Sequence, residues 1–91
     1  MSILFYNMEH SGTPSLRALL QRIGLDEKET QVYLTLLALR SARASTLAEA
    51  AGQSRSHTYL VLQSLIARGL VSKIEQGKVL RFVAESPEHL I

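Results

Sequence analysis

Apolar residues recur at helical intervals through most of the chain and shift to a period near two towards its end. Leu16, Leu19, Leu20 and Ile23 share one face of a helix. Thr13 ahead of Pro14 offers a cap followed by proline at the first helical position, and Gly24 offers a left-handed stop. Asp26 with Glu29 three residues on has the form of a capping box and predicts a second helix, whose apolar stripe is Val32, Tyr33, Leu36, Leu37 and Leu39. The period lapses over residues 40–45, which read as a connection. A short third helix is predicted near residues 44–51, with Leu47, Ala48 and Ala51 on one side and Gly52 as its stop. Ser45 and Thr46 are both able to cap it.

The fourth predicted helix has two distinct faces. Ser54 is a good cap, and Gly69 after Arg68 is a good stop. Thr58, Tyr59, Val61, Leu62, Leu65 and Ile66 make a broad apolar face. Gln53, Ser56, His57, Leu60, Gln63, Ser64 and Ala67 make the other, where Leu60 is the one large apolar residue. Arg55 shares the apolar azimuth but sits in the first turn, where its long side chain can leave the end of the core.

After Gly69 the period falls to two. Residues 70–75 and 78–83 are apolar and β-branched, with Gln76-Gly77 between them as a turn and Lys73, Lys78 and Arg81 as decoration. Ser86-Pro87-Glu88 begins a last helix. Helices followed by a basic hairpin predict an α+β, mainly α fold, a winged helix-turn-helix with a C-terminal β-hairpin wing. Residues 13–85 would form this DNA-binding domain. Residues 1–12 would be an N-terminal extension, a strand or dimer contact built on the apolar run from Ile3 to Tyr6, and residues 86–91 the start of a C-terminal or linker helix.

Composition narrows the function. A chain of 91 residues, 46% hydrophobic, buries one core and is not expected to frame a deep interdomain cleft. With no cysteine there is no disulfide framework, no thiolate zinc site and no cysteine nucleophile. No phosphate loop, nucleophile elbow or paired-carboxylate motif is present, so catalysis is not expected and no cofactor is implied. Glu9-His10 and Glu88-His89 give weak support for a metal site, since each pair holds a single histidine. The apolar stretch at 32–39 is far short of the roughly 20 residues a membrane span needs, and a cytoplasmic protein is expected. The formal charge of +2 says little until it is located. Residues 40–81 carry seven basic and two acidic side chains, a net of +5, between two slightly acidic ends. A basic middle over the fourth helix and hairpin fits a polyanionic partner.

These residues also resemble the TrmB-type transcriptional regulators. Gly24, Leu25, Glu29, Val32, Tyr33, Leu36 and Leu37 are similar to a family pattern of G-L, an acidic residue four places on, then V-Y-x-x-L-L. Arg55, Ser56, Tyr59, Leu62, Leu65, Gly69, Leu70 and Val71 resemble its recognition-helix signature, R-S-x-x-Y-x-x-L-x-x-L-x-x-x-G-L-V, which is shared in outline with MarR-type regulators. The likeness covers about residues 16–91. It implies a dimeric, promoter-binding transcription factor with Arg55, Ser56 and His57 at DNA-facing positions. The chain departs from the pattern at Leu60, where an acidic or polar residue is common, and at residues 40–44, where two arginines replace a frequent Gly-Pro.

The expected DNA-binding residues are therefore Ser54, Arg55, Ser56, His57, Leu60 and Gln63 on the recognition helix, and Arg43, Lys73, Gln76, Lys78 and Arg81 on the loop and wing. A helix fits the major groove, where His57 and Gln63 can hydrogen-bond base edges and Leu60 can meet a thymine methyl. Arg55 and the wing cations can reach phosphates, and Ser54 aims a helix N-terminus at them. Each has a plainer alternative: an ion pair for Arg55, a tolerated surface leucine at 60, and solvated strand charges on the wing. Tyr33 and Tyr59 read as core or core-edge residues. The expected partners are double-stranded DNA and a second copy of the chain, with no membrane and no identified small-molecule effector. The rival reading is a winged-helix protein-interaction module that does not bind DNA.

Overall fold

In the computed structural model, which describes residues 15–85, the helical pattern resolves into four helices and the alternating pattern into a hairpin. Helix α1 (Leu16–Arg22) begins after Ser15, whose Oγ accepts the Ala18 amide at 3.1 Å. The cap expected at Thr13-Pro14 is thus displaced inward, because a serine hydroxyl three residues ahead of a free amide already satisfies it. Thr13 and Pro14, like residues 1–12 and 86–91, lie outside the described residues. Gly24, at φ +104°, turns the chain so that Leu25 enters the core.

Helix α2 (Glu27–Leu39) opens with the predicted capping box: Asp26 Oδ1 accepts the Glu29 amide at 2.7 Å, and Glu29 Oε1 accepts the Asp26 amide at 2.9 Å. Val32, Tyr33 and Leu36 are buried, whereas Leu39 at the helix end is exposed. Beyond it, Arg40 closes the helix at φ +75°, ψ −50°. The supposed connection then holds a two-residue strand, β1 (Ser41–Ala42). Two residues are too few to show alternation, so only their pairing with Val83 and Phe82 makes the strand visible. Helix α3 (Ala44–Ala51) starts directly after it, with Arg43 at the cap position and no side-chain cap. Neither Ser45 nor Thr46 caps it. The strand pairing has already fixed where the chain turns into the helix.

Gly52, left-handed at φ +71°, ends α3, and Ser54 caps α4 (Arg55–Ala67) by accepting the His57 amide at 3.1 Å. The hairpin is β2 (Val71–Gln76) and β3 (Val79–Ala84), in a sheet ordered β1-β3-β2 and antiparallel throughout. Gln76 pairs with Val79, so the two-residue loop is Gly77-Lys78, one place later than the alternation suggested. Gly77 takes φ +63°, the positive value that a tight hairpin loop demands at its first position.

One core joins these elements. Leu20, Val32, Tyr33, Leu36, Leu47, Leu62, Leu65, Leu70 and Phe82 are all at most 2% exposed. Burying a leucine of this kind contributes about 1.5–3 kcal/mol, and Leu47 is how α3, with no side-chain cap of its own, is held against the rest. The arrangement is a winged helix-turn-helix: α3, the tight turn at Gly52, α4 and the β2–β3 wing.

Candidate nucleic-acid interface

Helix α4 is seated by one flank, which leaves another free. The seated flank meets α2 and the α1–α2 turn. The Ser64 hydroxyl donates to Glu29 Oε2 at 2.8 Å, Gln53 Nε2 donates to the Lys28 carbonyl at 3.4 Å, and Arg68 donates to the carbonyls of Ile23 at 3.0 Å and Gly24 at 3.4 Å. These partners orient the helix about its own axis. Its apolar side, Thr58, Val61, Leu62 and Leu65, is buried as the sequence predicted.

The free flank carries most of the expected recognition residues. Ser54, Arg55, Ser56, Leu60 and Gln63 are exposed, with Leu60 at 68% the most exposed large apolar residue of those described. His57 departs from its expected exposure. It is half-buried, and its Nε2 is enclosed with no hydrogen-bond partner among the described residues. The helical wheel places it on the outer face, but in the fold that position is only partly open to solvent.

Three cations from three elements converge beside this flank. Arg43 at the start of α3, Arg55 in the first turn of α4 and Lys78 at the tip of the wing line one cleft of about 240 Å³. No carboxylate lines it, and no ion pair engages Arg55 among the described residues. Tyr59 and Phe82 also line it, edge to face with ring centroids 6.1 Å apart and planes at 89°. Phe82 thereby locks the wing strand to α4, and the ring edge-to-face geometry is the favoured one for such a pair. Ser45 is a further lining residue. Because Arg43 gives no side-chain cap, the first amides of α3 also lack the usual partner there.

Sequence reasoning missed Tyr59 as a member of this cleft. It is 41% exposed, a core-edge residue whose outer side lines the cleft. The signal available was its spacing, one helical turn after Arg55. Conversely, the expected wing residues are not all brought together. Lys73 pairs with Phe82 and Arg81 with Ile74, so Lys73 lies on the same face of the sheet as Phe82 while Arg81 lies on the opposite face. Gln76 shares the face of Arg81. None of Lys73, Gln76 and Arg81 lines the cleft; Lys78 does.

Among the described residues no helix is long and apolar enough to cross a membrane, and no cluster of three or more acidic or histidine side chains could hold a metal ion. The Glu9-His10 and Glu88-His89 pairs lie outside those residues.

A family model described as the sugar-specific transcriptional regulator TrmB matches residues 20–88. Among solved structures, the chain is similar to TrmBL2, an archaeal chromatin protein whose structure shows a novel mode of DNA binding. The TM-score is 0.68 at 27% identity, covering 81% of this chain and 28% of that one. The AntR antimony-specific transcriptional repressor matches at a TM-score of 0.61 and 16% identity, over 99% of this chain and 87% of that one. Lactococcus lactis ZitR, solved as a mutant in complex with DNA, matches at 0.58 and 16% identity, over 70% of this chain and 45% of that one. At 16% identity these two show a shared fold alone. No curated protein sequence matches the chain. The family match runs from the end of α1 through the capping box of α2, the whole of α4 and the wing, and on it the chain belongs to the TrmB family of transcriptional regulators.

Proposed function

We propose that the chain is a sequence-specific, double-stranded-DNA-binding transcriptional regulator that acts as a cytoplasmic homodimer by occupying promoters, and that it is not an enzyme. The observation that carries this reading is the carboxylate-free cleft where Arg43, Arg55 and Lys78 meet beside the exposed flank of α4. Three cations with no acidic partner among the described residues repel one another, and a bound phosphate relieves that repulsion while releasing condensed counterions. In this reading α4 lies in the major groove, with Ser56, Leu60 and Gln63 toward base edges. The cleft, with the free amides of α3 behind it, takes the backbone of one strand. Lys78 at the wing tip and Arg55 on α4 then hold the same strand from two sides. Outside the cleft, Lys73 and Arg81 add only a weak general attraction for phosphate, and Gln76, which is uncharged, can donate a hydrogen bond to one. Residues 13–85 are the reading domain, with residues 1–12 and 86–91 as its flanking extension and linker. Two copies related by a two-fold axis would meet half-sites roughly 34–36 Å apart.

The test is binding of labelled duplexes, selected from a random pool by the wild-type chain, across a series of salt concentrations. Arg43→Ala and Arg55→Ala should each weaken binding and lower the slope of log affinity against log salt by about 1. Unchanged slopes in both variants would remove these residues from the interface. If no duplex is retained even at low salt, the interaction-module reading replaces this one.

A further inference from the structure

Leu60 has no part in the core, yet it sits at the centre of the free flank of α4. Its side chain, 68% exposed, forms with the 41% exposed Tyr59 a shallow apolar shelf bounded by Arg55 and Ser56. Gln63 continues the same flank on the far side. A single exposed leucine is ordinary on a protein surface. An apolar shelf adjoining a three-cation cleft is a different matter, because its occupant must be apolar at one point and anionic around it. A second copy of this face would bring Arg43, Arg55 and Lys78 against their own kind. An acidic partner with a small apolar group meets both demands, and in the major groove the thymine C5-methyl is that group.

We propose that Leu60, backed by Tyr59, is a specificity-determining residue that reads the C5-methyl of a thymine in the bound duplex. This rests on the DNA-binding reading above. Leucine offers no hydrogen bond, so it prefers a methyl-bearing base edge over one that presents only donors and acceptors. Arg55 on the neighbouring strand-facing side fixes the depth at which the leucine enters the groove. The contribution is that of one methyl group removed from water, about a fourfold change in affinity.

The experiment uses the full chain and duplexes selected by it from a random pool, with each thymine replaced singly by deoxyuridine, which lacks the methyl. At one position per half-site the wild-type chain should lose about fourfold in affinity on this replacement. Leu60→Ala should bind the two duplexes equally, and Leu60→Met, which keeps an apolar tip, should restore the discrimination. Circular dichroism of both variants checks that α4 is intact, as an exposed position allows. Equal affinity of the wild-type chain for thymine and uracil at every position overturns the proposal while leaving DNA binding in place. So does a loss that persists undiminished in Leu60→Ala, or a change in the oligomeric state of that variant without DNA, which would make the shelf a contact between copies. Failure of the wild-type chain to retain any duplex is a different result and defeats the DNA-binding reading itself.

Discussion

The Ser64 hydroxyl donates to Glu29 Oε2 at 2.8 Å while Glu29 Oε1 accepts the Asp26 amide at 2.9 Å, so one carboxylate both closes the cap of α2 and anchors α4. A residue that looks like part of a local helix signal therefore sets the orientation of the helix that carries the candidate interface. This gives a physical reason for an acidic residue at that place in the pattern spanning Gly24 to Leu37.

Glu29→Ala removes both bonds and should destabilise the fold by about 2 kcal/mol, since hydrogen bonds to a charged group are worth about 1.5–3 kcal/mol and this one is half-exposed. Ser64→Ala should cost about 1 kcal/mol. Urea unfolding of the two single variants and the double variant measures their coupling, expected at about 1 kcal/mol and favourable. Strict additivity would mean the inter-helix bond contributes nothing.

Tyr33 makes a second long-range tie: its hydroxyl donates to the Glu85 carbonyl at 2.7 Å, joining α2 to the end of β3. Burial, and next the charge of Glu85, hold its hydroxyl above the ordinary value of 10.0. The folded chain thus keeps the tyrosine proton more tightly than the unfolded one. The resulting contribution to stability is complete below pH 10.0 and is lost as pH rises through the raised folded value. Tyr33→Phe should cost about 1 kcal/mol at neutral pH, and its stability should fall less steeply than that of the wild-type chain in strongly alkaline solution. Urea midpoints of the two proteins across the alkaline range test this; parallel curves would remove Tyr33 as the cause.

Arg40 is the one non-glycine residue with positive φ among those described, at φ +75° and ψ −50°. This is a tight-turn conformation that a β-carbon makes costly by about 1–3 kcal/mol. It is imposed from both sides: the Arg40 amide bonds the Leu36 carbonyl at 2.7 Å, and the Arg40 carbonyl accepts the Ala84 amide at 3.4 Å as β1 joins the sheet. Arg40→Gly should therefore stabilise the protein by about 1 kcal/mol after allowing for the greater freedom of glycine in the unfolded chain. A rise in thermal midpoint of several degrees is the expected readout, and a fall would show that the arginine side chain more than repays its backbone.

Much of this molecule is legible in its sequence. The capping box at Asp26 and Glu29, the stops at Gly24, Gly52 and Gly69, and the cap at Ser54 are local signals, and each lies where the chain's own chemistry puts it. What is not legible is what the tertiary fold decides. Strand β1 exists because β3 lies beside it, and that pairing, not Ser45 or Thr46, starts α3. His57 is half-buried where the helical wheel puts it on the outer face, because a wheel describes one helix and not what packs around it. For the candidate site, periodicity picks out the free flank of α4 but not the cleft, whose three cations come from positions 43, 55 and 78 and meet only when the wing folds back on the helix pair.

The wing offers the sharpest discrimination between charge and position. Lys73 and Lys78 are both exposed lysines of one hairpin, but Lys78 stands at the loop and lines the cleft, whereas Lys73 is paired with Phe82 midway along β2 and does not. If net positive charge alone drew DNA, Lys73→Ala and Lys78→Ala would weaken binding alike, since each removes one charge. If the cleft seats a phosphate, Lys78→Ala should lower the slope of log affinity against log salt by about 1 and weaken binding severalfold, with Lys73→Ala close to the wild-type chain. Anisotropy titrations of both variants against one selected duplex at several salt concentrations decide between these outcomes. Equal losses would return the wing to a general electrostatic role and leave Arg43 and Arg55 as the only specific phosphate contacts of the cleft.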